Sequence, residues 1–247
     1  TLTGVAANKN KGDGVIVNSS LTLKITDVNL EENSSAFTDY GYGLKATLDG
    51  SGTAYLDHVY ALGNDYGILV EGGNLQAKYI KANKSVKGAG FEFSSPVGGS
   101  RVEYSSFIGN HLEGLKISNK GAIYLNNINA NDNGAQGGYL KNDSSVTITS
   151  PKSGGFLQLN SFSGNGAQGL YIDSSGSAVI SNADFSNNGD VGLEIDNTRG
   201  SGSVTLNTTI ANWSNWVGYN AEEGIQIKSK GTVDLRATDV EENGGAG

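Results

Sequence analysis

A four-residue unit, glycine–apolar–any–apolar, returns nine times in phase along this chain of 247 residues. It stands at Gly14-Val-Ile-Val, Gly43-Leu-Lys-Ala, Gly67-Ile-Leu-Val, Gly90-Phe-Glu-Phe and Gly114-Leu-Lys-Ile, then at Gly137, Gly169, Gly192 and Gly224. Gly247 holds the tenth anchor. Successive anchors lie 29, 24, 23, 24, 23, 32, 23, 32 and 23 residues apart, a period of 23–24 lengthened three times. A second marker, a small or apolar residue followed three places later by Asn, precedes each anchor. It is assigned to Ala7/Asn10, Leu30/Asn33, Ala61/Asn64, Ile80/Asn83, Phe107/Asn110, Ala130/Asn133, Phe162/Asn165, Phe185/Asn188, Val217/Asn220 and Val240/Asn243. Two markers in phase over the whole length demand a repeat architecture. Each unit is too short to bury an apolar face alone and must stack on its neighbours.

The residues within a unit identify its building block. Runs such as Leu21-Thr-Leu-Lys-Ile and Ser203-Val-Thr-Leu alternate apolar and polar, and Gly, Asn, Asp and Ser separate them. That is strand and turn chemistry, with no ten-residue amphipathic helix in any unit. Because a strand's side chains alternate between faces, positions one and three after each anchor should point inward. They read Val15, Leu44, Ile68, Phe91, Leu115, Gly138, Leu170, Leu193, Ile225 and Val17, Ala46, Val70, Phe93, Ile117, Leu140, Ile172, Ile195, Ile227. The residue between them should face out, which sets Glu92 beside Lys116 and Tyr139 beside Tyr171 in adjacent coils. The corner glycines Gly114, Gly137, Gly169, Gly192 and Gly224 are expected to supply positive φ. The corner asparagines Asn110, Asn133, Asn165, Asn188 and Asn220 are expected to stack as an amide ladder.

The segments Phe162-Ser-Gly-Asn-Gly-Ala-Gln-Gly-Leu-Tyr-Ile and Phe185-Ser-Asn-Asn-Gly-Asp-Val-Gly-Leu-Glu-Ile resemble the parallel β-helix repeats of bacterial surface proteins and carbohydrate-active enzymes. They also look like the Phe-x-x-Asn repeats of autotransporter-type adhesins, without the Gly-Gly-Ala-Ile motif of one such family. The fold expected is all-β: a single-stranded parallel β-helix solenoid of about ten coils in one continuous domain, residues 1–247. Right-handed winding is what the resemblance implies. Val28-Asn-Leu-Glu-Glu-Asn33 also fits a leucine-rich repeat core, but that fold needs a helical or 3₁₀ outer segment that is not evident here.

Composition removes several functions. The chain has no Cys, so disulfides, thiolate zinc sites and thiol catalysis are excluded. Its net charge of −8 without a basic cluster argues against nucleic acid. No apolar run is long enough to insert in a membrane. His58 and His111 lie in different coils without a recurring acidic partner, which suits surface corners better than catalysis. Arg101, Arg199 and Arg236 do not recur in phase, and the motifs of alginate epimerases and polygalacturonases are missing. Glu92, Glu103 and Lys116 are expected on one face, where an ion-pair ladder is a simpler account than a catalytic set. Gly41-Tyr-Gly-Leu-Lys-Ala46 matches a dinucleotide-binding spelling but no helix follows it. Asn129-Ala-Asn-Asp-Asn-Gly134 begins like a calcium loop yet ends on Leu140 where Glu belongs. No cofactor is expected. Ca²⁺ at the acidic corners is the one alternative to solvated charge.

The three lengthened intervals hold Tyr40 and Tyr42, then Pro151 and Phe156, then Trp213 and Trp216. Insertions in solenoids emerge as loops, often on a binding face, so Tyr40, Tyr42, Trp213 and Trp216 are candidate glycan or partner contacts. The chain starts and stops partway through a coil, with no recognisable cap. The expected function is therefore a non-enzymatic structural segment, extracellular or at the cell surface: an adhesin stalk or filament subunit that self-associates end to end. A carbohydrate-binding module or a lyase/epimerase-like enzyme is the alternative.

Overall fold

In a computed structural model, residues 1–35, 41–150, 152–153, 156–157, 159–209 and 213–246 are described. Among them every regular element is a strand. Nine strands stack in parallel in one sheet, from Val15–Ser19 to Ile225–Ser229. A second, fifteen-stranded sheet runs from Leu2–Thr3 to Thr238–Glu241 and is folded lengthwise into two faces. The chain thus winds through three faces per coil, and each strand pairs with its counterpart one coil away. Among the described residues only Lys152–Ser153 and Phe156–Leu157 pair antiparallel.

The inward columns fall where alternation puts them. Leu115 is in register with Phe91 and Gly138, Gly138 with Leu170, and Leu170 with Leu193. All of these are buried, as are Phe93, Ile117, Leu140, Ile172 and Ile195. Each such aliphatic chain withdrawn from water contributes roughly 1.5–3 kcal/mol before ordering costs. Gly138 is glycine for volume: a Cβ there would lie 2.7 Å from Leu170 Cδ1 and 3.0 Å from the Phe162 ring. Phe162 in turn stacks on Phe185 with ring centroids 5.7 Å apart.

The asparagines do form a ladder, in which each buried amide serves two coils. Asn110 Nδ2 donates to Asn133 Oδ1 at 2.9 Å, Asn133 to Asn165 at 3.0 Å, Asn165 to Asn188 at 3.1 Å, Asn188 to Asn220 at 2.9 Å and Asn220 to Asn243 at 2.8 Å. Backbone N–H groups of the same residues donate to the same oxygens. One expected rung is misplaced. Ala61 is in register with Ala82, not Ile80, so the marker of that coil is Ala82/Ser85 and Asn83 lies outside the ladder. Ser85 is too short to reach Asn64. Its hydroxyl has no partner, and Asn64 Nδ2 is left with its bond to Leu30 O, the counterpart of Asn133 Nδ2 to Phe107 O.

The corner glycines also have a different reason from the one expected. None of Gly114, Gly137, Gly169, Gly192 or Gly224 has positive φ. Instead, a Cβ on Gly114 would lie 2.6 Å from Asn133 Nδ2, and one on Gly169 would lie 2.6 Å from Asn188 Nδ2 and 2.5 Å from Gly192 O. Each glycine leaves the space that the next coil's asparagine fills, so the two markers are one packing unit.

Positive φ is concentrated in two other columns. The residue before each ladder position is left-handed in all ten coils, from Lys9 (φ 58°) to Glu242 (φ 52°). The second column is the crease between the two faces of the larger sheet, at Asp27, His58, Tyr79, Tyr104, Asn127, Asn182 and Ala237. Every non-glycine residue of positive φ among those described belongs to one of these columns.

Candidate functional site

The aromatic residues expected as glycan or partner contacts are dispersed. Tyr40 lies outside the described residues. Tyr42 opens the strand Tyr42–Leu48 in the second coil, half-buried, with its ring 4.9 Å from that of Tyr66. Trp216 sits in Asn215–Gly218, in register with Asp184 and Asp239. Six rungs of about 4.8 Å separate it from Tyr42, about 29 Å along the stack. Trp213 is 48 % exposed beside the same strand. Tyr42 and the tryptophans therefore cannot grip one short ligand.

A denser aromatic group occupies the crease in the first five coils. The register sets Asp27, His58, Tyr79, Tyr104 and Asn127 one above another. The His58 and Tyr79 rings lie 4.7 Å apart, and Tyr79 and Tyr104 stack at 5.5 Å with 28° between their planes. Lys78 Nζ is 4.8 Å from the Tyr79 ring and 5.4 Å from that of Tyr104. On one side of the crease Arg101 lies 4.0 Å over Tyr124, and on the other Lys81 Nζ is 5.3 Å from Tyr60. Two shallow depressions follow this edge: one of about 330 Å³ between Tyr79, Tyr104, Ser106 and Asn127, the other of about 310 Å³ beside Tyr60, Lys81 and Asn83. Ser106 is in register with Lys81, so the two are continuous along one face.

This edge is strained by the fold. Left-handed backbone costs a side chain with Cβ about 1–2 kcal/mol, and Asn or Asp, as at 27, 127 and 182, tolerates it best. Three consecutive bulky members, with φ of 51°, 54° and 48°, thus store about 3–6 kcal/mol. Two ring contacts return about 0.5–1.5 kcal/mol each, and an exposed cation over a ring about 0.5–1 kcal/mol. These contacts, with His58 Nδ1 2.8 Å from Asp57 Oδ1, offset much of that cost.

The family model described as right handed beta helix region matches residues 100–247, more than half of the chain. The chain belongs to this family. No curated protein and no solved structure matches it. The described residues before 100 continue the same rungs in register, so the aromatic edge of this right-handed β-helix straddles the start of the matched region.

Elsewhere on the β-helix, charged residues pair between or within rungs. Lys116 Nζ reaches Glu92 at 3.3 Å, as the outward column predicts, and Tyr139 stacks on Tyr171 at 5.3 Å. Burial of Tyr171 raises its phenol above the usual range. Glu103 does not join Glu92 and Lys116. It belongs to the neighbouring sheet, where Arg101 donates two hydrogen bonds of 2.8 Å to its carboxylate and lowers its pKa. Arg199 ties three coils together, donating to Asp173 at 2.5 Å, to Asp143 at 2.7 Å and to the Asn142 carbonyl at 2.6 Å. No group of three or more His, Cys, Asp or Glu suited to a metal ion occurs among the described residues. In the segment that begins like a calcium loop, Asn133 commits its amide to the ladder. The dinucleotide-like spelling at 41–46 runs into a strand. No helix of the described residues is long and apolar enough to cross a membrane.

The two later insertions open at the crease as well. They lie two coils apart, and Asn182 joins them: its Nδ2 donates to Ser150 O at 3.2 Å and Thr209 Oγ1 at 2.7 Å. The later insertions thus interrupt the crease in its C-terminal half, and aromatic side chains line it in its N-terminal half.

Proposed function

We propose that this β-helix is a non-enzymatic structural segment of the extracellular space or cell surface, a stalk or adhesin portion that associates end to end or through surface glycans. The observation that carries this reading is the asparagine ladder with its partner glycines. It invests two residues of nearly every coil in holding the rungs together, which serves a stiff, extended display element. The pairing of surface charges rung to rung, as in the Arg199 clamp, supports the same role. Nucleic acid and membrane insertion have no part in it.

The test is direct. Antibody against the chain should label intact, unpermeabilised producing cells, and the purified full-length protein should appear as rods by electron microscopy. Protein confined to the cell interior would overturn the location. Turnover of a polysaccharide in a panel of acidic and neutral glycans, followed by the appearance of new chain ends, would transfer the assignment to the lyase/epimerase class.

A further inference from the structure

We propose that Asn133, Asn165 and Asn188 are latent sites of self-modification. When a coil opens, each cyclises onto the glycine that follows it and emerges as aspartate or isoaspartate, which marks that coil and keeps it from closing again. The inference stands independently of the stalk reading, since it concerns the ladder alone.

Sequence and ladder carry it together. The chain contains four Asn-Gly pairs, Asn133-Gly134, Asn165-Gly166, Asn188-Gly189 and Asn243-Gly244, and all four asparagines are ladder positions. Asparagine before glycine is the pair most prone to cyclise, because no Cβ crowds the attacking nitrogen. The fold nonetheless requires it at these rungs. A Cβ on Gly134 would lie 2.2 Å from His111 O, one on Gly166 2.4 Å from Gly134 O, and one on Gly189 2.5 Å from Gly166 O. Close coil contact thus demands the glycine, and the ladder demands the asparagine before it.

In the closed coil the reaction is blocked at each atom it needs. The nucleophile is the glycine backbone nitrogen, and its N–H is committed to the neighbouring coil: Gly134 N donates to Asn110 O, Gly166 N to Asn133 O and Gly189 N to Asn165 O, each at 2.8 Å. The electrophile is the asparagine Cγ. Its Oδ1 accepts two hydrogen bonds from one neighbouring coil, and its Nδ2, the leaving group, donates to the other. All three side chains are buried, which keeps hydroxide from the amide. To react, the side chain must swing off both neighbours and fold back on its own backbone, so the rung breaks first.

In an open coil, hydroxide and water are the only other reactants. Hydroxide takes the glycine N–H proton and the nitrogen bonds to Cγ. The Cγ–Nδ2 bond then breaks, and Nδ2 takes a proton from water and leaves as ammonia. Water hydrolyses the resulting succinimide, giving aspartate when the new Cγ–N bond opens and isoaspartate when the original peptide bond does. Neither product fits the ladder. At 133 the second carboxylate oxygen would face Phe107 O and Asn165 Oδ1, both acceptors. Isoaspartate adds a carbon to the backbone and throws the rung out of phase.

The test follows the purified full chain at mildly alkaline pH, native and in denaturing urea. Peptide mapping by mass spectrometry counts Asn, Asp and isoAsp at each position, and hydrogen exchange measures opening. In urea the four Asn-Gly pairs should be modified faster than the other asparagines. In native buffer Asn133, Asn165 and Asn188 should react about a hundredfold more slowly, or slower still, because the open state of a packed coil is rare. As urea is added below the unfolding transition, modification at each site should rise by the same factor as exchange at its own glycine, since one N–H reports both events. Gly169→Ala, which crowds Asn188 Nδ2, should raise the two together at Asn188 and Gly189; the urea series decides if that variant does not fold. Chains modified at 165 and returned to native buffer should exchange Gly166 about tenfold faster or more, as expected for at least one lost buried hydrogen bond. Native modification at the urea rate would overturn the proposal. So would modification that does not follow glycine exchange, or a modified chain that exchanges like the unmodified one.

Discussion

Replacing Asn133 by Asp changes one side-chain nitrogen to oxygen in the middle of the ladder and should make the protein's stability depend on pH. Asn133 is 2 % exposed. Its Oδ1 accepts from Asn110 N at 3.0 Å and Asn110 Nδ2 at 2.9 Å, and its Nδ2 donates to Phe107 O at 3.0 Å and Asn165 Oδ1 at 3.0 Å. In Asn133→Asp the first two bonds survive, while the second oxygen faces two acceptors. A protonated carboxyl restores one of the two lost donors, so at low pH the cost is that of one unmade buried bond, about 1–2 kcal/mol. An ionised carboxylate there is desolvated and repelled, which raises the folded-state pKa above the unfolded value of about 3.9. As pH rises past about 3.9 the unfolded chain releases its proton and the folded one does not. Stability then falls by about 1.4 kcal/mol per pH unit until the folded pKa is reached. A rise of about 3 units gives a total loss of about 5–6 kcal/mol at neutral pH. Urea denaturation at pH 4 and pH 7 measures the difference, with wild type subtracted at each pH. Hydrogen exchange at the Asn110 and Asn165 amides locates it, which matters because a solenoid can open coil by coil. Equal destabilisation at both pH values, or a loss below about 1 kcal/mol, would refute the ladder as a load shared between buried amides.

Other substitutions probe the glycine contacts and the surface charges. Gly169→Ala should destabilise by about 1–3 kcal/mol through overpacking, since the added carbon meets Gly192 O, Asn188 Nδ2 and Phe162 O within 2.6 Å; Gly12→Ala, with open space around it, should be neutral in the same thermal melt. Arg199→Met should lower stability by about 1 kcal/mol at low ionic strength and by less in high salt, because the clamp on Asp143 and Asp173 is partly exposed. The lowered pKa of Glu103 means that its contribution is fully present above the unfolded value of about 4.3 and is lost as pH falls through the folded value. Glu103→Gln should therefore flatten the acid limb of the stability curve, by no more than about 1 kcal/mol for so exposed a pair.

The inward columns and the two outward contacts, Glu92 with Lys116 and Tyr139 with Tyr171, were legible because they lie within three residues of an anchor. Phase is preserved over so short a run. The crease was not legible, because a turn of variable length intervenes. His58, Tyr79, Tyr104 and Asn127 follow their anchors by 15, 12, 14 and 13 residues, so no fixed period aligns them. The fourth rung was misassigned for a related reason: Ile80-Lys-Ala-Asn83 satisfies the marker two residues too early, while the true rung carries Ser. A glycine in a sequence also does not say whether φ or the missing Cβ matters, and here contact with the next coil's asparagine decides it. Tyr42 and the two tryptophans drew notice as aromatics in long intervals, but only their coil positions reveal how far apart they lie.

The aromatic edge exists only where rung register is kept across the crease. The absence of cysteine makes that register directly measurable. Lys78 and Glu103 are partners in adjacent coils, whereas Lys78 and Arg101 are offset by two residues along the same face. A parallel neighbour lies about 4.8 Å away, within disulfide reach, and the offset pair lies about 7–8 Å away, beyond it. Mild oxidation of Lys78→Cys with Glu103→Cys should give an intramolecular disulfide, visible as a mobility shift reversed by reductant, and Lys78→Cys with Arg101→Cys should not. Cross-linking of the offset pair in preference to the registered one would contradict the account.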